Sequence, residues 1–293
     1  MRRTCFALLM SLACACGGSD PSTPSAPSSA TQAVAEPGTF RVATFNIQHG
    51  LNNDGRYDLK YAIQAIAALQ PDIVGVQELT RNHPAYNCED QPALIAQGLT
   101  AATGRQWSYL YKNEWTTTVM DCRGDTPETE GIGFFAPAPI ADAGSVALWN
   151  GRLGVKTMLQ ATRPLPVMVT HLQSGKLDQD AADRVRQLGT LLPWTLSQGS
   201  PRLLVCDCNL NPASPEYQQI RAGYRDAWAD AVAAGTAKGR MDGITHKSSR
   251  IDYVFYDPGT TLELVSVENV ETPQLIGLEA SDHRPVVAVF RVK

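Results

Sequence analysis

The stretch LLVCDCNLNP, residues 203–212, closes an apolar run with an acid, Asp207, set between two cysteines and followed two places later by Asn209. An Asp-x-Asn pair at a strand end suits a hard cation and a phosphate, whereas Cys206 and Cys208 would suit zinc or a thiol–disulfide cycle. Other polar residues are placed in the same way. Asn46, Glu78 and His171 each fall at the C-terminal end of an apolar run, and Asp252 and His283 stand at or just before the start of one. If the latter runs point opposite to the former, all these ends meet on one rim, which is how a rigid scaffold builds a site from many strands. Singly, each has a plain reading: a turn residue for Asn46, caps or solvated strand ends for Glu78 and Asp207, structural histidines for His171 and His283, a surface acid for Asp252. Their convergence is what those readings leave unexplained.

The elements that must position them begin near Phe40. RVATFN, DIVGVQ, WSYLY, GIGFF, PVMVTH, RLLVC, IDYVFY, LELVSV and PVVAVF read as strands. A helical stripe of Leu59, Ala62, Ile63, Ile66 and Leu69 follows a capping Asp58 and stops before Pro71. Further helices are predicted over about 92–103 and 179–192, and from Ser214-Pro215 to a stop at Gly223. Strands outnumber helices and several strand pairs have no helix between them. The prediction is therefore α/β: a sandwich of two packed mixed sheets flanked by helices.

The chain has 293 residues, 43% hydrophobic and 18% charged, enough for a full core. A net charge of -4 gives no global basic field, which argues against tight sequence-blind nucleic-acid binding. MRRTCFALLMSLACAC carries two arginines, a short apolar run and small residues ending at cysteine, an export signal too short to span a membrane. Ending at cysteine resembles a bacterial lipoprotein signal, with Cys16, or else Cys14, lipidated as the mature N-terminus; plain secretion is the alternative. Residues 17–38, rich in Pro, Ser, Gly and Ala, make a flexible tether. The expected organisation is a signal over 1–16, a tether over 17–38 and a folded domain over 39–293, to which the resemblance given next assigns the catalysis. The expected location is outside a bacterial cytoplasm, on the periplasmic or cell-surface side.

TFNIQHG, PDIVGVQE, THL, CDCN, RIDYVF and SDHRPV stand in the order and approximate spacing of the endonuclease/exonuclease/phosphatase superfamily, which the chain resembles from Arg41 to Lys293. The resemblance implies a four-layer α/β/β/α sandwich and divalent-metal hydrolysis of phosphoesters, usually with Mg²⁺; Mn²⁺ is expected to substitute. Such hydrolysis requires neutralised phosphate charge, a deprotonated water and in-line attack. Glu78 offers a hard carboxylate to the cation, and Asn46 resembles the family's asparagine beside it. Asp252 and His283 look like its base dyad. His171 is expected to donate to a phosphate oxygen or the leaving group, Asp207 to orient the nucleophile or bind metal, and Asn209 to hold a phosphate oxygen. Asp282 resembles the family's second metal-side acid.

Family members usually carry Gly-Asp-Phe-Asn where this chain has Cys206-Asp207-Cys208-Asn209. A lone Cys-x-Cys lacks the second ligand pair of structural zinc, and two cysteines in an extended strand do not easily bridge. Cys206 and Cys208 are thus expected to pack as buried thiols. Cys88 and Cys122, both in loops, are the economical disulfide pair for an exported protein. His49 has a loop-ordering bond or a substrate contact open to it. His83 and His246 read as surface residues. Lys176, Arg184 and Arg186 could steer an anion or form a solvated helix face.

The expected activity is phosphodiester hydrolysis, nuclease-like, by a monomer tethered to a membrane. A sphingomyelinase-like lipid phosphodiesterase is the second choice. Inositol phosphatases of the superfamily typically carry Cys-Asp-Arg where this chain has Arg250-Ile251-Asp252-Tyr253, which argues against that branch. A non-catalytic binding protein should have lost Glu78, Asp207, Asp252 or His283, and none is lost. Specificity is expected from loops at 80–92 and 112–130.

Overall fold

Thirteen strands and six α-helices follow one another in the computed structural model, which describes residues 38–116, 122 and 127–293. The expected signal, with Cys14 and Cys16, and the tether up to residue 37 lie outside the described residues. The order begins β1 (Thr39–Asn46), α1 (Lys60–Leu69), β2 (Ile73–Arg81), α2 (Gln91–Thr103), β3 (Ser108–Thr116) and β4 (Thr129–Ala136). It continues with β5 (Ser145–Ala147), β6 (Leu153–Gln160), β7 (Pro164–His171), α3 (Asp178–Leu196) and β8 (Leu203–Asp207). Then come α4 (Pro215–Arg221), β9 (Arg225–Asp226), α5 (Ala227–Ala234) and β10 (Ala237–Gly239). The last are β11 (Asp252–Tyr256), β12 (Leu262–Asn269), α6 (Thr272–Ile276) and β13 (Val286–Val292).

Local signals explain most helix starts. The Asp58 carboxylate accepts from Lys60 N at 2.9 Å at the head of α1, and the Ser214 hydroxyl accepts from Tyr217 N at 3.2 Å at the head of α4. Proline stands in the first turn of α2, α4 and α6. Helix α3 runs beyond the expected stop, through Pro193 to Leu196. The sequence reading passed over β6, LGVKTMLQ, because Gly, Lys and Thr break its apolar run; pairing with β5 on one side and β7 on the other makes it a strand.

The strands form two sheets, ordered β10-β12-β13-β1-β2-β4-β3 and β5-β6-β7-β8-β11-β9. Both are mixed and mainly antiparallel; β1 runs parallel to β2, β7 to β8 and β10 to β12. Val42, Ile73, Phe134, Val169, Val205, Val254 and Phe290 fill the space between the sheets. Helices α1 and α2 pack on the outer face of the first sheet through Ala62, Ile66, Ile95 and Leu99. Leu188, Leu191, Tyr217 and Ile220 of α3 and α4 cover the second. This is the four-layer α/β/β/α sandwich expected. At Gly75 in β2 an added Cβ would meet Val205 Cγ2 at 2.5 Å, so only glycine lets the sheets approach there, close to the rim where their strand ends meet.

Two disulfides are present among the described residues. Cys88 and Cys122 are bonded across a separation of 34 residues; closing that loop contributes on the order of 3 kcal/mol by restricting the unfolded chain. Cys206 and Cys208 are also bonded, with Cα atoms 5.1 Å apart, which corrects the expectation of two free, buried thiols. That expectation assumed extended backbone, in which residues i and i+2 lie about 6.6 Å apart. Here β8 ends at Asp207, so Cys208 lies outside the strand and the two Cα atoms come closer than extended backbone would hold them.

Candidate active site

Strand register lines up the floor of the site. His171 of β7 pairs with Asp207 of β8, and Asp207 pairs with Asp252 of β11 on its other side. The three side chains therefore occupy neighbouring positions at one end of the second sheet, all of them buried. The first sheet contributes Asn46 at the end of β1. Its Nδ2 donates to Glu78 Oε1 at 2.8 Å and to Asp207 Oδ2 at 3.0 Å, while its Oδ1 accepts from Gln48 N at 2.9 Å. Asn46 thus presents its amide nitrogen to both carboxylates and its oxygen to backbone.

Glu78 does not end its strand, as the sequence reading had it. β2 continues to Arg81, and Glu78 sits at φ 59° where the pairing with β4 slips between Val76 and Leu79. This bulge turns the carboxylate toward Asn46. His49 Nε2 stands 3.3 Å from Glu78 Oε2, and the residue also lines the cleft described below.

Asp252 and His283, the pair expected as a base dyad, are hydrogen-bonded to each other. His283 Nδ1 donates to Asp252, at 2.9 Å to Oδ2 and 3.1 Å to Oδ1, which leaves Nε2 facing Asp207 Oδ2 at 3.8 Å. Ser281 ties this loop to β1, its hydroxyl donating to Asn46 O at 2.8 Å and accepting from His283 N at 3.1 Å. Burial alone would strip the His283 proton, yet Asp252 and Asp207 outweigh it and raise the imidazole to about 10. Asp207 is pushed up to about 7, first by burial and then by the charge of Asp252. The floor therefore holds more carboxylate charge than its histidines balance.

On the opposite side a second chain of contacts fixes His171. Arg152 Nη1 lies 3.1 Å from His171 Nδ1 and donates to Glu114 Oε2 at 3.0 Å. Leu153 N donates to Glu114 Oε1 at 2.9 Å, and the guanidinium lies 4.0 Å from the centroid of the Trp115 ring. An arginine can only donate, so His171 Nδ1 accepts and its proton sits on Nε2, 3.4 Å from Asp207 Oδ2. Burial, then the Arg152 charge, holds His171 well below its usual value and keeps it neutral. The sequence reading missed Glu114 and Arg152. It had placed Glu114 in a specificity loop, whereas β3 extends through Thr116; an acid inside an aromatic-rich strand was the available signal.

These groups open on a cleft of about 310 Å³, lined also by Asn209, Asp282, His246 and Lys247. Asn209 N donates to Asp207 Oδ1 at 3.1 Å and its Nδ2 to Leu172 O at 3.1 Å. His246 is not a bland surface residue: its Nε2 lies 3.1 Å from Asp282 Oδ2 and its ring stacks on His283. His83, outside the cleft, lies against Tyr86 and Glu128. Arg184 is buried against Glu216 at 3.2 Å and donates to Gln173 O and Gly175 O, a structural role. Arg186 reaches Asp183 and Trp149, and Lys176 is exposed.

The cleft fits a divalent cation. Ligand atoms of Glu78, His171 and Asp207 lie within 4.8 Å of one another, and Asp282 Oδ1 is buried without a hydrogen-bond partner. When bound, such a cation supplies positive charge to a phosphate oxygen and to this excess of carboxylates. Glu78 and Asp207 are the side chains that would hold it, with Asn46 orienting both; Asp282, expected as a further metal-side acid, groups with His246 and His283 instead.

A human Nocturnin catalytic domain, solved with bound sulfate, shares this fold at a TM-score of 0.64 and 20% identity, over 89% of this chain and 97% of that one. An endonuclease/exonuclease/phosphatase from Beutenbergia cavernae gives 0.68 and 22%, over 87% and 72%. The Bacteroides thetaiotaomicron mannosyl-6-phosphatase gives 0.60 and 14%, over 86% and 99%. At such identities the likeness is one of fold. No curated protein sequence matches the chain. Residues 43–283, which run from β1 to His283, match the Endonuclease/Exonuclease/phosphatase family, and the chain belongs to that family of divalent-metal-dependent, phosphoester-cleaving hydrolases.

Proposed function

We infer that the protein is an exported, lipid-anchored phosphodiesterase of nuclease-like type that uses Mg²⁺. The observation that carries this reading is the crowding around Asp207 Oδ2, which faces Asn46 Nδ2 at 3.0 Å, His171 Nε2 at 3.4 Å and His283 Nε2 at 3.8 Å. A water held there has a carboxylate to orient it and, once a bound cation offsets the carboxylates that keep His283 protonated, His283 Nε2 to take its proton, with Asp252 holding the imidazole through Nδ1. His171, neutral with its proton on Nε2, donates to a phosphate oxygen or to the departing oxygen. Asn209 and Lys247 stand at the cleft wall for the remaining phosphate oxygens.

A diester rather than a polyphosphorylated substrate is favoured by charge. Lys247 is the one lysine or arginine side chain lining the cleft among the described residues, and a diester phosphate carries a single negative charge. The signal and tether read from residues 1–38 support action outside the cytoplasm, at a membrane.

A lipid diester is the second reading. Trp149 is 52% exposed and Leu177 73% exposed, and the cleft-side segment joins them, since Asn150 Nδ2 donates to Gln173 Oε1 at 3.1 Å. Two such exposed apolar side chains, on segments that meet at Gln173 next to the cleft-lining Ser174, suit a lipid surface. The deciding experiment assays DNA, RNA, sphingomyelin vesicles and bis-p-nitrophenyl phosphate, each with Mg²⁺ or with chelator. Mg²⁺-dependent cleavage of nucleic acid is expected; turnover on sphingomyelin alone selects the lipid reading, and no turnover on any diester defeats both.

A further inference from the structure

We propose that His246, Asp282 and His283 form a nitrogen-rich site for a transition-metal dication such as Zn²⁺, distinct in chemistry from the oxygen-lined Mg²⁺ site, and that filling it shuts the enzyme off.

The backbone assembles this cluster from two distant segments. His246 and His283 face each other as a bridged antiparallel pair, and Arg284 N donates to Thr245 O at 2.7 Å. Their rings lie parallel, 4.3 Å apart at 10°. Both Nε2 atoms face one carboxylate: His246 Nε2 is 3.1 Å from Asp282 Oδ2 and His283 Nε2 is 4.0 Å from Asp282 Oδ1. One ligand atom from each residue lies within 4.8 Å of the other two. A tetrahedral cation with bonds near 2.0 Å separates its ligands by about 3.3 Å, within reach of small side-chain rotations. Asp282 Oδ1 is buried and has no hydrogen-bond partner, so an electron pair is already turned inward without a proton to receive.

The donor set decides which cation. Two imidazole nitrogens and one carboxylate suit zinc and its neighbours, whereas Mg²⁺ prefers oxygen ligands and water. His283 is also prepared as a ligand. Its Nδ1 is bound to Asp252 at 2.9 Å, the carboxylate–histidine arrangement that turns Nε2 outward, where a cation can replace the imidazolium proton. That nitrogen is the one that takes the proton of water in the hydrolysis proposed above. A cation on it and a proton on it exclude one another, so occupation inhibits. This last step rests on the proposed role of His283; the binding site does not.

The test uses the full chain in excess Mg²⁺, titrated with Zn²⁺ against a chromophoric chelator, beside His246→Gln and His246→Phe. The wild type is expected to bind its tightest Zn²⁺ at least tenfold better than either variant, and its Co²⁺ form to show visible d–d bands that the variants lose. Zn²⁺ is expected to inhibit phosphodiester turnover at concentrations matching that affinity, and each variant to need at least tenfold more. Equal Zn²⁺ affinity in all the proteins, or unchanged Co²⁺ bands, would overturn the site. Zn²⁺ that binds through His246 while turnover rises would overturn the inhibitory role. Binding through His246 by a protein without any diesterase activity would uphold the site and sink the hydrolase reading instead.

Discussion

Asn46 and Asp207, 161 positions apart, are joined by a hydrogen bond of 3.0 Å that runs from one sheet of the sandwich to the other. The same amide nitrogen holds Glu78 at 2.8 Å. One neutral side chain therefore separates and orients two acids that would otherwise repel, without adding a charge of its own.

Asn46→Ala should lower turnover at least about a hundredfold, the lower range for losing a positioned group. It should also destabilise the metal-free protein by about 1–3 kcal/mol, because buried carboxylate oxygens lose their donor. Added Mg²⁺ should recover part of the stability and little of the rate. Denaturant titration with and without Mg²⁺, alongside steady-state kinetics, checks both; an Asn46→Ala enzyme of normal rate would remove the amide from the site.

Chelator should abolish turnover and Mg²⁺ or Mn²⁺ restore it. Glu78→Ala should stay inactive at Mg²⁺ levels that saturate the wild type, and calorimetry should find its Mg²⁺ affinity reduced. Asp207→Ala should fold and lose at least about a hundredfold in turnover. Activity of Glu78→Ala in chelator refutes the metal assignment.

Arg152→Met should reduce kcat more than it changes KM, since its guanidinium sets the His171 tautomer and touches no substrate. Imidazole ¹⁵N spectra provide the direct reading: wild-type His171 should be neutral with its proton on Nε2, and the variant should show a mixture of forms. An unchanged His171 spectrum would make Arg152 a packing residue only.

His171 gives a pH signature of stability. Its folded value lies well below 6.5, with burial the leading cause, so the unfolded chain binds a proton that the folded chain does not. The stability this confers is present above about pH 6.5 and is lost as the pH falls below it, at up to about 1.4 kcal/mol per pH unit. Unfolding in chelator between pH 7.5 and 5.5 should show that extra loss in the wild type and not in His171→Gln. Parallel pH dependences in the two proteins would place the His171 proton otherwise.

Peptide mapping without reductant should recover Cys206 and Cys208 as an oxidised pair, separate from the pair formed by Cys88 and Cys122. Replacing the former with the family-like residues, Cys206→Gly with Cys208→Phe, should keep the metal requirement and hold activity within roughly tenfold, about 1.4 kcal/mol of barrier. Loss of all activity in that double variant would give the bridge a role in the chemistry.

Groups whose partners lie along one strand or just beyond it were legible in the sequence. Asp207 ends an apolar run, Asp252 starts one and His283 precedes another, so alternation alone puts them on a common rim. Glu114 and Arg152 escaped because their partner, His171, is reached only across sheet pairings that a linear reading does not supply. His246 escaped for the same reason, since only the bridge to His283 takes it off the surface. Glu78 was found but misplaced, because nothing in PDIVGVQELTR marks a left-handed residue in mid-strand. Cys206 and Cys208 were misread because both were taken as extended, whereas Cys208 lies past the end of β8. The layers themselves depend on hydrophobic periodicity, and they were the easier inference.

The pairing of β1 with β13, Thr39 against Arg291 through Thr44 against Val286, means that β1, paired with β2 on its other edge, gains its second neighbour only when β13 has been made. Ser281, which clasps Asn46, and His283 arrive on the same late stretch of chain. A polypeptide that stops short of that stretch holds Glu78 and Asp207 but neither His283 nor the central strand that sets them in place. The order of synthesis acts as a safety catch, since the cleft is assembled only after β13 has been made and paired.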